Sequence, residues 1–583
     1  MKKIYKTIAY SLAAFCVAMG SVSCDDFFEP ETDDVLDGDE YMAEQTEMYT
    51  GFLGIMTRMQ AVGDKAIYLT DTRGIMLEPT TYSTSDLIAL YNYDDDLTGN
   101  PYADPAGYYD VVIACNDYLA NIKEFGDKYP ELWDQEVSDG LISSTVRLKV
   151  WAYLTLAEIY GQALWFNDPI TEIQDLTNTD KFQLLGIEAV VDSCLNLMEN
   201  GYNGVPSDIV FSWYQWLDPD TDMGESKYRF WDYMIPTYEG LYAKLALWKG
   251  AFLQKNNRAS EAMPYYDNVV DLLVEAINQH MINVSNQEWN RGAMGAPRYR
   301  LWSTGKESDM KFSAVSVLRY DYTDNQTNNL MKHFSTVYPN QYLLRPTEAG
   351  MACFTDPTFN PGGGEDEDRF SESFREVSAG SGEYYVSTYI RDNYEPYCDD
   401  CHIYLIRSDE YHFWIIEALN QLGRYKEASI LMNGGLTAYA KTTMGLQSEE
   451  AWNEYRTTSG EFEEFDGRWI SGYANSNKNS NIGIRTSIGL KDRTFIIDED
   501  ADPNEAKAFN DRAIADEYLL EFACEGKTYP ALIRFATRWN DPTIISSRVT
   551  PKYGARAAEI AAKIEAGGYW VPWDLQIGTT ANP

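Results

Sequence analysis

Residues 407–436 form two short predicted helices joined by a tight turn, and this stretch constrains the fold more than any other. Phe413, Ile416 and Asn420 fall on one side of the first helix, and apolar residues recur one position later, so its apolar face is wide. Gly423 lies in the turn, where glycine adopts a left-handed C-cap conformation at little cost. The second helix, 426–432, carries the small Ala428, which lets another helix approach closely. One pair cannot bury both of its faces, so the sequence predicts further pairs elsewhere.

Helical spacing of apolar residues recurs in three more places, and each helix–turn–helix resembles a tetratricopeptide unit. We therefore expect a mainly α fold, a tetratricopeptide-like helix-pair scaffold with a loop-rich irregular part that carries the ligand site. The predicted helix pairs cover residues 39–125, 141–198, 239–280 and 407–439, and a C-terminal helix covers 512–536. The predicted individual helices are 39–60, 106–125, 141–160, 182–198, 239–252, 259–280 and 514–535, and the loop-rich insertions are 61–105 and 281–400, with a further polar stretch at 452–503.

The start of the chain has the pattern of a bacterial lipoprotein signal. Lys2, Lys3 and Lys6 precede the apolar stretch 8–22, which is short for a transmembrane helix. Residues 21–24 then resemble a lipobox that ends at Cys24. We expect residues 1–23 to be a signal peptide and Cys24 to carry the lipid anchor. A plain secretory signal, or an unrelated cysteine, is the alternative.

The charge of the chain excludes two classes of partner. The net charge is −43, and loss of the three N-terminal lysines makes it more negative. Nucleic acid requires a basic footprint, so we expect no nucleic-acid partner. An anionic membrane surface would also repel this chain, so it is not expected to lie flat on one.

Sequence motifs for catalysis or for a resident metal are missing. The chain has four His and none of the signatures of zinc proteases, serine hydrolases or P-loop enzymes. His412 lies inside a predicted helix, where packing is the favoured role. Clustered acids at 94–96 and 365–368 could hold a structural calcium, but solvated loops are the better interpretation. Cys398 and Cys401 indicate a local disulfide or two thiols in a loop. We expect no catalytic residues, no metal and no cofactor.

Five separated motifs, in chain order, resemble those of the SusD/RagB proteins, the nutrient-binding outer-membrane lipoproteins of Bacteroidetes. The matching residues are Cys24 to Phe28, then Tyr108, Tyr109 and Asn116, then Arg147 and Gly161, then Arg407, Glu410, Glu417, Ala418, Gly423, Ala428 and Asn433, and finally Glu517, Glu521, Glu525, Gly526 and Arg534. Tyr518, Thr528 and Ala531 depart from the last motif, which puts the polar network around that helix in doubt.

The resemblance implies a function and a location. Residues 24–583 would form one SusD-like domain, tethered to the outer membrane by lipid and facing the cell exterior. It would capture an oligosaccharide or polysaccharide and deliver it to a SusC-like, TonB-dependent transporter. Peptide capture by the same architecture is the alternative, and a surface hydrolase is a weaker one.

Residue types in the insertions suggest where a glycan could bind. Sugar rings present apolar faces that stack on Tyr and Trp, and hydroxyl groups that bond Arg, Asp and Asn. For any one of these residues, core packing or an idle surface position is the alternative, and the 14% aromatic content alone favours a large core. The candidate ligand-binding residues are Asp71, Arg73, Tyr91, Tyr93, Trp289, Trp302, Tyr320, Arg391 and Tyr394.

Overall fold

The computed structural model of this 583-residue chain describes residues 45–170, 181–217, 219–221, 228–283, 314–390, 397, 399–470, 481–498 and 500–573. The predicted signal peptide and Cys24 lie outside the described residues. Within them, residues 45–50 and 121–133 belong to a small compact unit, and all others belong to a large one. The small unit contains the first turns of one helix and the last turns of another.

The chain is mainly helical, and its strands are short. No helix in the described ranges is both long enough and apolar enough to cross a lipid bilayer. The helices are α1 (Gln45–Val62), α2 (Lys65–Asp71), α3 (Ser85–Tyr91), α4 (Ala106–Lys128), α5 (Gln135–Tyr160), α6 (Ile187–Asn200), α7 (Trp213–Leu217), α8 (Arg229–Asp232), α9 (Tyr238–Lys255), α10 (Ala259–Asn283), α11 (Leu330–Phe334), α12 (Glu348–Thr355), α13 (Asp368–Ser373), α14 (Ser408–Gln421), α15 (Tyr425–Met432), α16 (Gly435–Ala438), α17 (Glu449–Ser459), α18 (Pro503–Glu521), α19 (Thr528–Trp539), α20 (Thr543–Val549) and α21 (Ala557–Lys563). The strands are β1 (Leu77–Pro79), β2 (Gln162–Trp165), β3 (Gln183–Gly186), β4 (Ala314–Leu318), β5 (Leu344–Pro346), β6 (Phe374–Glu376), β7 (Tyr384–Val386) and β8 (Ile403–Arg407).

Helix α14 is the centre of the large unit, as the sequence predicts. Every one of its residues is buried, including the charged Glu410 and Glu417. It packs against α9, α10, α15 and α18. The chain turns between α14 and α15 at Gly423, whose φ is +81°. This left-handed conformation favours glycine and explains why the turn falls there.

The predicted helix pairs are present. In the first, Phe52 of α1 lies 6.0 Å from the ring of Tyr118 of α4. Helix α5 packs on α6, and α9 packs on α10. Gly250 lets the last two approach closely, because a Cβ there would lie 2.5 Å from the Tyr266 ring. The mainly α, helix-pair prediction is therefore confirmed.

Several predicted elements differ from the structure. The predicted helix 141–160 already begins at Gln135. The predicted helix 182–198 begins only at Ile187, because residues 183–186 form β3 against β2. The predicted helix 514–535 is two helices, α18 and α19, broken where Cys524 and Gly526 take φ values of +63° and +75°. The polar stretch 452–503 contains the end of α17, which is predominantly polar with Trp452 as its buried residue.

Buried ion pairs join α18 to the irregular segments. Glu517 on α18 accepts hydrogen bonds from Arg369 at 2.8 Å and from Arg493 at 2.8 Å, and it also pairs with Arg485. Burial raises the pKa of the Glu517 carboxyl, but the three guanidinium groups outweigh it and hold that pKa well below its usual range. A buried polar network centred on Glu517 therefore joins α18 to its neighbours, although Tyr518, Thr528 and Ala531 depart from the motif.

A second group of buried charges holds α14 to the following helices. Arg407 binds Glu525 through Nε and Nη2, at 3.0 and 3.1 Å. Glu417 of α14 accepts two hydrogen bonds from Arg534 of α19, at 3.0 and 2.7 Å. The motif residues Arg407, Glu417, Glu525 and Arg534 thus form buried ion pairs that stabilise the scaffold.

Candidate functional site

Two long segments between helix pairs meet in a small antiparallel sheet. Strand β1 belongs to the first insertion and β5 to the large one, and Glu78 lies opposite Arg345 in their register. The contact extends beyond the sheet, because the Thr80 amide donates to the Leu343 carbonyl at 3.0 Å. The Thr80 hydroxyl also donates to the Tyr342 carbonyl at 2.6 Å. The fold therefore brings both predicted ligand-bearing insertions to one place.

A cleft of about 550 Å³ lies beside this sheet, and we name it the Arg345 cleft. Arg345 Nε donates to Glu78 Oε1 at 2.7 Å, and its Nη1 lies 4.0 Å from Glu383 Oε1. The Arg345 side chain is still 42% exposed, so it has donors available to a ligand. The residues that line the cleft include Glu78, Arg345, Thr347, Glu383, Tyr384 and Lys552.

Lys552 anchors the wall of the Arg345 cleft. Its ammonium donates to the carbonyls of Thr72 at 2.6 Å and Leu77 at 3.1 Å, and it also bonds the Gly74 carbonyl. Burial lowers the pKa of this ammonium well below its ordinary value. Three carbonyl partners satisfy its three donors, so Lys552 fixes the segment that leads into β1.

Tyr91 borders the same region from the end of α3. Its ring centroid lies 4.8 Å from that of Tyr553, and the Lys552 ammonium lies 4.7 Å from it. Burial raises the pKa of the Tyr91 hydroxyl, and the nearby Glu78 carboxylate raises it further. The side chain is only partly buried. Tyr91 is therefore a predicted ligand residue that lies close to the cleft.

Two exposed tyrosines flank the cleft sheet, and the sequence reasoning missed both. Tyr82 is 70% exposed and Tyr338 is 89% exposed. They lie on the segments that continue β1 and precede β5, beyond the same end of the two-stranded sheet. Tyr82 lies in the turn-rich stretch TTYST, and Tyr338 lies in VYPNQ. An aromatic residue among residues that favour turns is the sequence signal that indicates such exposed tyrosines.

Known proteins share this architecture, although the sequence alone finds none of them. No protein-family model matches the chain, and no curated protein matches it. A SusD homolog from Bacteroides thetaiotaomicron superposes with a TM-score of 0.56 at 11% identity, over 94% of this chain and 95% of that chain. A SusD superfamily protein from Bacteroides vulgatus gives 0.54 at 10% identity, over 91% and 96%. Another from Parabacteroides distasonis gives 0.53 at 12% identity, over 84% and 88%.

The chain has the SusD-like fold. The likeness covers 84–94% of this chain and 88–96% of the three solved chains. At such low sequence identities the structural likeness shows the fold alone. The chemistry of the candidate site is set by the residues of this chain.

Four predicted ligand residues lie inside this SusD-like fold and not at its surface. Arg73 is buried and donates to the carbonyls of Gly568 at 2.5 Å and Trp570 at 3.0 Å. Tyr93 lies beneath the Arg73 guanidinium, 3.9 Å from ring centroid to Cζ, and its hydroxyl donates to the Arg73 carbonyl at 2.5 Å. These two side chains have no exposed face for stacking.

Asp71 and Tyr320 are the other two. The Asp71 carboxylate accepts the Gly526 amide at 2.6 Å, and burial raises its pKa to about 7. Tyr320 is buried and donates its hydroxyl to the Gln60 carbonyl at 2.6 Å. Asp71 and Tyr320 therefore pack in the core of this structure, which is the alternative to a ligand-binding role. Trp289, Trp302, Arg391 and Tyr394 lie outside the described residues and stay predictions.

The acidic clusters show no metal geometry. Asp94, Asp95 and Asp96 are all exposed. Glu367 is buried and pairs with Arg369. Within the described ranges, no three or more His, Cys, Asp or Glu side chains are grouped so that they could hold a metal ion.

Proposed function

We propose that this chain is a glycan-binding lipoprotein of the SusD family on the cell surface. It captures an oligosaccharide or polysaccharide and delivers it to a SusC-like, TonB-dependent outer-membrane transporter. The observation that carries the proposal is the Arg345 cleft, a polar cleft built where two insertions meet on a SusD-like scaffold.

The chemistry of the cleft suits a polyhydroxylated ligand. Arg345 offers exposed guanidinium donors, and Glu78 and Glu383 offer carboxylate acceptors beside them. Hydroxyl groups on one sugar can both donate and accept, so they match such a mixed pair. The exposed rings of Tyr82 and Tyr338 supply apolar faces on which sugar rings stack.

The proposed role is capture without catalysis. Hydrolysis of a glycoside needs a carboxylic acid that gives a proton and a second carboxylate across the scissile bond. Here Glu78 accepts a hydrogen bond from Arg345, and the same arginine lies 4.0 Å from Glu383. One guanidinium thus lies beside both carboxylates, and this placement of paired donors and acceptors suits the binding of a ligand.

Isothermal titration of the protein without residues 1–24 tests the function. The panel consists of neutral and acidic polysaccharides, their oligosaccharides, and mixed peptides. A saturable heat with one glycan, with the glycan recovered at its original length, supports the proposal. Heat only with peptides would replace it by peptide capture, and shortened glycan would replace it by a surface hydrolase.

The lipid anchor has a separate test. The variant Cys24→Ser should leave the membrane fraction and appear in the soluble fraction, because the thiol that accepts the lipid is gone. Retention of the variant in the outer membrane would contradict lipidation at Cys24. Co-purification of the wild-type protein with a TonB-dependent barrel from the same cells tests the transporter partner.

A further inference from the structure

A second and larger cleft lies away from the Arg345 cleft, and no predicted ligand residue lines it. It encloses about 1010 Å³ and is formed by residues 95–105, 160–162 and 567–573. We name it the tryptophan cleft, after Trp570 and Trp573 in its wall. Both indoles are only partly buried, so each has surface available to a ligand.

Several hydrogen bonds fix the backbone of residues 568–571, which lie beside Trp573 in the cleft wall. Arg73 donates to the carbonyls of Gly568 and Trp570, at 2.5 and 3.0 Å. The Val571 amide donates to the Ile159 carbonyl at 3.0 Å. The wall is therefore fixed in place before any ligand arrives, which lowers the ordering cost of binding.

Packing also sets the orientation of the two indoles. Trp570 lies over Gly161, where a Cβ would come within 2.6 Å of its ring. Trp573 lies 5.6 Å from the ring of Tyr109 and 5.7 Å from that of Tyr160. Each indole is thus supported by a neighbour on the scaffold while another part of it faces solvent.

Acidic residues also line the tryptophan cleft. Asp95, Asp96 and Asp104 line the cleft and are exposed. Among the described residues of the lining, none is Lys, Arg or His. The ammonium of Lys65 donates to the backbone carbonyl of Asp104 at 3.2 Å, and one oxygen of the Asp104 carboxylate accepts the Ala106 amide at 2.9 Å.

Indole faces and carboxylates together favour a cation. An ammonium group is attracted to the face of Trp and to carboxylates at the same time. The stretch 574–583 that follows Trp573 contains Asp574 and no Lys or Arg, so its side chains do not supply that positive charge. Thr98 and Gln162 add polar groups that can bond hydroxyls.

We propose that the tryptophan cleft binds saccharides that carry a positively charged amino group. This inference rests on the proposed glycan-binding function, but it concerns a separate site. The indoles stack on the sugar ring, the carboxylates bind the ammonium, and the uncharged N-acetylated form of the same sugar is discriminated against.

Tryptophan fluorescence titration of the protein without residues 1–24 tests this proposal. The probes are a glucosamine oligosaccharide and its fully N-acetylated counterpart, at about pH 6, where Asp is ionised and an amine is charged. We expect the charged probe to bind at least about tenfold more tightly than the neutral one. Equal binding of the two probes, or no binding of the charged one, would overturn the proposal.

Two variants and one control locate the binding. The double variant Asp95→Asn with Asp96→Asn changes exposed side chains only, so the fold should be kept, and we expect the charged probe to bind about three- to tenfold more weakly. Trp570→Ala should weaken it by roughly two- to thirtyfold. Glu559→Gln, which removes an exposed carboxylate outside the lining of this cleft, should leave this affinity unchanged. Full affinity in the Asp95 and Asp96 variant would remove the cleft as the site.

The outcomes separate this inference from the proposed function. If neutral glycans bind and Arg345→Ala abolishes that binding, while the charged probe does not bind, only the amino-sugar inference fails. A lysine tripeptide that competes as well as the glucosamine oligosaccharide would overturn the assignment to a sugar, because the ammonium alone would then suffice.

Discussion

Glu517 provides the sharpest test of how the scaffold is held together. It is fully buried and neutralises part of a cluster of three guanidinium groups from Arg369, Arg485 and Arg493. The variant Glu517→Gln keeps the shape of the side chain and removes its charge. Three buried arginines then face a neutral group, and removing one partner of a buried ion pair costs about 3–5 kcal/mol.

This magnitude can be measured in two ways. With an unfolding entropy of roughly 2.1 cal/mol/K per residue, a chain of 583 residues should lose about 2–4 °C in Tm. Urea unfolding followed by circular dichroism should show a lower midpoint. The matched control is Glu559→Gln, an exposed partner of Arg556 at 3.1 Å, which should leave the stability almost unchanged.

The Glu517 variant also has a pH signature. The folded pKa of Glu517 is lowered, so its stabilisation is present above the unfolded pKa near 4.3 and is lost as the pH falls below it. The difference between wild type and Glu517→Gln should therefore be full at pH 7 and shrink in acid. A difference below about 1 kcal/mol at pH 7 would refute the role of the cluster.

Two further predictions concern buried positions. The folded pKa of Asp71 is raised to about 7, so the wild type loses stability as the pH rises from the unfolded pKa near 3.9 through 7. In urea unfolding, the stability of Asp71→Asn relative to wild type should therefore increase by roughly 4 kcal/mol between pH 4 and pH 8. A difference between the two proteins that stays constant with pH would contradict this. Gly250→Ala should destabilise the protein by about 1–3 kcal/mol, because the new Cβ meets the Tyr266 ring. Gly54→Ala should stabilise helix α1 by up to about 1 kcal/mol, because its Cβ faces only the flexible end of Arg58 at 3.4 Å. A change of the same sign for both variants in thermal unfolding would contradict the packing argument.

The helix pairs could be predicted because each has an apolar stripe with a period of 3.6 residues, whereas the missed elements lack that signal. Helix α17 has Trp452 as its buried residue, so its periodicity is weak. The break between α18 and α19 coincides with a tertiary contact, the hydrogen bond from the Gly526 amide to Asp71. Neither feature is visible from local sequence.

The candidate site shows a similar limit. Residue types drew attention to the insertions, but they could not separate buried from exposed positions. The sequence predicts Arg73 and Tyr93 as ligand residues, yet they pack on each other in the interior. Glu78 and Arg345 are 267 residues apart, and their pairing follows only from the β1–β5 register. Long-range pairing of short strands leaves no local pattern to read.

The affinity of Arg345→Ala for the glycan found by titration tests the central claim most directly, since Arg345 is the polar centre of the proposed capture site. We expect this variant to bind at least about tenfold more weakly than wild type, a loss of about 1.4 kcal/mol, with an unchanged circular dichroism spectrum. Phe509→Ala, which removes an aromatic that is 42% exposed on α18, should bind as wild type does. Wild-type affinity in Arg345→Ala would contradict the assignment of the glycan site to the Arg345 cleft.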